Sequence, residues 1–105
     1  MLTAGIEILD RELAKPGRFE LGTVVMTPGA GEALLDGLHT PPEFLLPHKH
    51  GDWGELCAED RRENERALLH GDRLFSAYRT QLDAKLWIIT EWDRCSTTLL
   101  LPEEY

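Results

Sequence analysis

The chain has 105 residues, 42% of them hydrophobic and 29% charged, which suits one ordinary globular domain and leaves no room for two. Lys and Arg number 11 against 19 Asp and Glu, a net charge of -8, so the long-range field repels nucleic acid unless arginines cluster locally. No apolar run approaches the roughly 18 residues of a membrane span, and the start lacks the basic-then-apolar order of a secretory signal, so a cytoplasmic protein with Cys57 and Cys95 as free thiols is expected.

Residues 1–18 read as an amphipathic arm, with Ile6, Ile8, Leu9 and Leu13 on roughly one side and Pro16-Gly17 as its stop. A single α+β domain is expected over 19–105. "FELGTVVMT", starting at Phe19, is β-branched and apolar, which predicts a buried strand, with Gly22 marking a bulge or a close backbone approach. Thr27-Pro28 then supplies an N-cap and a first-turn proline for a helix that Gly37 ends. Thr40, Pro41 and Glu43 repeat the device as a capping box for a second short helix.

A longer helix is predicted over Ala58–His70, stopped by Gly71. Its apolar stripe through Ala67 and Leu68 steps back onto Asn64, a polar residue on or beside the buried side. Arg61, Arg62 and Arg66 are interleaved with Glu59, Asp60, Glu63 and Glu65, the pattern of a solvated helix face rather than of a basic patch. From Arg73 the period changes to two, and short connections at "QLDA" and "DRC" predict three antiparallel strands. The order β-α-α-α-β-β-β implies an α+β fold with helices packed on one face of a small antiparallel sheet.

Two stretches carry candidate chemistry. In "LPHKHGDWGELC", His48, His50, Asp52 and Cys57 are all zinc-capable, with His70 or Cys95 as a distant further ligand, yet no second clustered pair completes a four-ligand site. The reading adopted is an architectural loop without metal or cofactor. Gly51 and Gly54 would shape the turn, Trp53 would anchor it in the core, and Asp52 would accept backbone N–H bonds or cap the next helix. His48 would lean toward Asn64 and the sheet, and His50 would stay exposed. In "ITEWDRCSTT", Asp93 and Arg94 occupy a hairpin turn, and strand alternation sends Thr97 and Thr98 to opposite faces. Arg94 beside hydroxyls suits a phosphate or carboxylate clamp, and equally suits ordinary turn chemistry.

The residues H-x-x-G-D-W-G at His48–Gly54, then Asn64, Ser76-x-Tyr78 and I-T-E-x-D-R-x-x-T-T-x-L-L-P-x-E-Y at the end, resemble a family of small bacterial proteins carried on plasmids, prophages and chromosomes. The resemblance covers about Phe19 to Tyr105. Cys95 departs from it where serine is usual, and it implies no particular activity. At the level of fold alone, helices followed by a meander are similar to the metal-independent ribonucleases of barnase-like and RelE-like toxins. On that analogy His48, Asn64, Arg94 and Thr97 or Thr98 would be the catalytic set. The expectation adopted is an interaction or regulatory module associated with mobile elements, with a protein partner and a homodimer through the arm. The ribonuclease and an acidic nucleic-acid-mimicking inhibitor are its alternatives.

Overall fold

The computed structural model describes residues 15–105, so the expected dimer contact through Ile6, Ile8, Leu9 and Leu13 lies outside the described residues. Along the chain come β1 (Thr23–Met26), α1 (Pro28–Asp36), α2 (Pro42–Lys49), α3 (Ala58–His70), β2 (Leu74–Arg79), β3 (Lys85–Thr90) and β4 (Ser96–Leu100), then a 3-10 turn at Pro102–Glu104. The fold is α+β, in the order β-α-α-α-β-β-β. Among the described residues no helix is long and apolar enough to cross a membrane.

The meander β2-β3-β4 is antiparallel, as the period-two pattern and short turns imply. β1 completes the sheet in the order β1-β4-β3-β2, pairing parallel with β4 from Thr23↔Ser96 to Met26↔Leu99. The sheet is therefore mixed, and the expectation of a buried strand from Phe19 is corrected. Gly22, at φ +67, interrupts the extended run, and its backbone lies so close to Cys95 that an added Cβ would stand 2.3 Å from the Cys95 carbonyl carbon. The strand that follows has four residues and sits at the sheet edge, where Val24, Val25 and Met26 are 39%, 46% and 44% exposed. Apolar content favours an extended backbone but does not provide neighbours on both sides.

Register places Leu74, Ser76 and Tyr78, then Leu86, Ile88 and Thr90, then Thr97 and Leu99 on one face of the sheet. The main core forms there, where Ala30 and Leu34 of α1 and Phe44 and Leu45 of α2 meet Leu86, Ile88 and Leu99. A smaller cluster of Trp53, Ala67 and Leu74 ties α3 to β2.

Helix ends follow their local chemistry. Thr27 caps α1 by accepting from the Ala30 N–H at 3.2 Å, and its hydroxyl in turn donates to Glu104, which also accepts the Gly29 N–H at 3.0 Å. A carboxylate at a helix start is favoured by the exposed N–H groups there. α2 begins one residue later than its sequence suggests: Glu43 reaches back to the Thr40 N–H at 3.4 Å, but no side chain caps the first turn. α3 ends at Gly71, φ +74, whose N–H and that of Asp72 both donate to Ala67 O at 2.9 and 3.0 Å.

Candidate functional site

The loop after α2 is built around Trp53, which is 3% exposed. Its ring stacks on Phe19 at 6.1 Å and meets His48 edge-on at 6.0 Å, while Nε1 donates to Glu65 at 3.0 Å. Arg18 holds the same carboxylate with a 2.7 Å contact, and together these bonds keep the Glu65 carboxyl below its usual range. Gly51 and Gly54 carry φ +83 and +74, and Asp52 accepts the Gly54 N–H at 3.2 Å rather than capping α3. His50 is exposed. His48 turns to the sheet as expected, but its hydrogen bonds go to Ser76 and Thr90 and not to Asn64.

Besides placing Trp53, this loop seals the outer edge of the sheet. Ala77 of β2 donates its N–H to Trp53 O at 3.2 Å and accepts the Glu55 N–H at 2.7 Å, a short parallel bridge. A Cβ at position 54 would lie 2.0 Å from the Ala77 oxygen, so glycine is required by contact as well as by φ. One step along the strand, Asn64 of α3 accepts the Phe75 N–H at 3.1 Å and donates to the Phe75 oxygen at 2.6 Å. Its amide imitates a neighbouring strand. Asn64→Ala strands that part-buried peptide group, and a destabilisation of about 1 to 2 kcal/mol is expected. Urea denaturation with an unchanged slope checks it.

Behind the loop lies a buried polar row. His48 is 0% exposed, with Nδ1 2.6 Å from the Ser76 hydroxyl and Nε2 2.9 Å from that of Thr90; Thr90 is 2.8 Å from Thr97, which donates to Leu21 O at 2.6 Å. A carbonyl can only accept, so the direction of the whole row is set from that end. Thr97 donates to Leu21, Thr90 to Thr97, His48 Nε2–H to Thr90, and Ser76 to Nδ1. His48 is thus a neutral imidazole of one tautomer, and burial pushes its pKa down to about 3. Ser76 and Thr90 both entered the sequence reading only as members of a motif. The available signal was a polar side chain at an inward strand position between apolar ones.

The remaining members of the nuclease set are placed apart from this row. Arg94 donates to the backbone oxygens of Asp72 at 2.6 Å, Glu91 at 3.0 Å, Trp92 at 3.3 Å and Ala67 at 3.3 Å. It closes the C-terminal end of α3 against the β3–β4 turn and leaves no fork for a phosphate. Thr98 lies on the opposite face of the sheet from Thr97, and Asn64 is engaged with Phe75. His48 and Thr97 alone are brought together, through Thr90, in a place that water does not reach. Cys57 and Cys95 are exposed free thiols, and among the described residues no three His, Cys, Asp or Glu side chains gather as metal ligands.

The other face of the sheet carries an aromatic cleft of about 240 Å³ lined by Arg73, Phe75, Trp87, Ile89 and Tyr105. Phe75 meets Trp87 edge-on at 5.0 Å and Trp87 meets Tyr105 at 5.8 Å. The Arg73 charge is met by Glu91 at 3.1 Å, and it also donates to the Tyr105 hydroxyl at 3.0 Å. The cleft is smaller than the roughly 300 Å³ at which ligand pockets begin. Also open to solvent are a groove of about 420 Å³ beside α3, with Asp60, Asn64, His70 and Arg73 in its lining, and, among the described residues, the edge of β1 away from β4. No family model, curated protein or solved structure matches this chain.

Proposed function

We propose that the chain is a protein-interaction module that takes up an extended strand of a protein partner along the free edge of β1. The observation that supports this reading is the contrast between the two sheet edges. Asn64 and residues 53–55 occupy the outward peptide groups of Phe75 and Ala77 in β2, whereas β1 presents an uncharged run, Thr23–Met26, with neither proline nor lysine to discourage pairing. Strand addition of this kind draws affinity from backbone bonds and selectivity from the alternate side chains. The ribonuclease reading gains no support from the geometry, because both His48 nitrogens and the Arg94 donors are engaged within the fold. Association with mobile elements rests on the sequence resemblance, and a regulatory role in the cytoplasm belongs to the same proposal.

Photo-reactive residues introduced singly at Val24 and at Glu59, an exposed site on α3, test it in cells. Adducts are expected from position 24 and not from position 59. Equal yields from both, or none from 24, overturn the reading.

A further inference from the structure

Backbone phase and charge together select one partner for the open edge. We infer that β1 pairs with β1 of a second copy of this chain, antiparallel, about a two-fold axis through Val25. This inference rests on the interaction reading and names its partner. Thr23 N–H bonds to Cys95 O at 2.9 Å and Thr27 N–H to Leu99 O at 3.0 Å, so Thr23, Val25 and Thr27 turn their peptide groups toward β4. Val24 and Met26 therefore turn theirs outward.

Antiparallel pairing must also keep facing side chains on the same side of the sheet. Val24 and Met26, in register with Thr97 and Leu99, share the helix side, and Val25 lies on the other. Both conditions are met when Val24 of one copy opposes Met26 of the other and the two Val25 residues meet at the axis. Each Val24–Met26 pair then exchanges two N–H···O bonds. Leu35, one turn beyond the helical Gly31 that borders the Met26 methyl, is 74% exposed and extends the apolar surface on the helix side.

Two features favour a second copy over other occupants. Residues 22–27 carry no charge, so two chains of net charge -8 can meet there without opposing like charges, and a basic partner strand would find no acid within the edge. The sealed β2 edge blocks head-to-tail growth, so pairing of β1 with itself closes as a finite, isologous dimer.

Sedimentation velocity and amide exchange on the full chain test this, with Val24→Pro and Met26→Lys as variants. Val24→Pro removes an outward N–H that β4 does not use, a position where an edge strand tolerates proline. The wild type is expected to dimerise on the order of tens of micromolar. The Val24 and Met26 amides should be protected in proportion to dimer, and each variant should weaken association roughly tenfold or more. If Val24→Pro fails to fold, Met26→Lys decides. A monomer whose Val24 and Met26 amides exchange freely overturns the self-pairing and leaves the edge free for another protein. A monomer in which those amides are protected overturns both readings, because the edge is then covered within the chain. A dimer that both variants leave unchanged overturns the inference and puts the contact elsewhere.

Discussion

Trp53→Ala is expected to lower the stability of the folded chain by about 3 to 5 kcal/mol, the usual range for deleting a buried aromatic side chain. The ring at 3% exposure touches Phe19 and His48, and its Nε1–H engages Glu65. Its removal opens a cavity among α3, β2 and the loop, and loosens the backbone bridge to Ala77 that the ring anchors. Trp92, 66% exposed on the β3–β4 turn, is the internal control, and Trp92→Ala should change stability by less than about 0.5 kcal/mol. Urea denaturation of both variants checks the pair. A loss below about 1 kcal/mol for Trp53→Ala would show that the loop is not held by this ring.

The second large effect is a dependence of stability on pH. His48 is neutral when buried, with a pKa pushed down to about 3 from the ordinary 6.5. Above pH 6.5 both folded and unfolded states carry a neutral imidazole, and full stability is present. As the pH falls through 6.5 toward 3, the unfolded state takes up a proton that the folded state refuses, so stability declines by about 1.4 kcal/mol per unit. Between about pH 6.5 and 4.5 the expected loss is roughly 2 kcal/mol. The carboxyls of Glu65 and Glu104, held low by their hydrogen bonds, add their own losses only at lower pH. His48→Gln supplies an acceptor for Ser76 and a donor for Thr90 without a titrating group, and should flatten this slope. Equal slopes in wild type and variant, followed by thermal melting across the window, would mean that the ring reaches water.

Elements whose causes are local were legible in the sequence. α3 and its Gly71 stop, the Thr27 cap, the turns of the meander and the positive-φ glycines that frame Trp53 all depend on residues within a few positions of one another. β1 was half legible: its extended backbone follows from β-branched residues, but its place at the edge, parallel to β4, depends on contacts with residues about 73 positions away, Thr23↔Ser96 being one. Arg94 was read as a possible anion clamp because the type of a side chain shows what it can donate and not what will be waiting. Its acceptors, such as Ala67 O and Asp72 O, exist as unpaired carbonyls only once a helix end has been packed against the turn. His48 was a residue of interest for chemistry under the ribonuclease alternative, and the fold gives both its ring nitrogens hydroxyl partners on the sheet.

The bond between Thr97 and the Leu21 oxygen spans 76 positions of chain. The meander can assemble from neighbouring hairpins, but this contact and the β1–β4 pairing must wait until nearly the whole polypeptide has been gathered, because closing a long loop is entropically costly before any native contact offsets it. The first strand is therefore expected to dock last, during synthesis as well as during refolding. Until it does, β4 is itself an unguarded sheet edge, and the interval before docking is when chains at high concentration are most exposed to joining one another incorrectly.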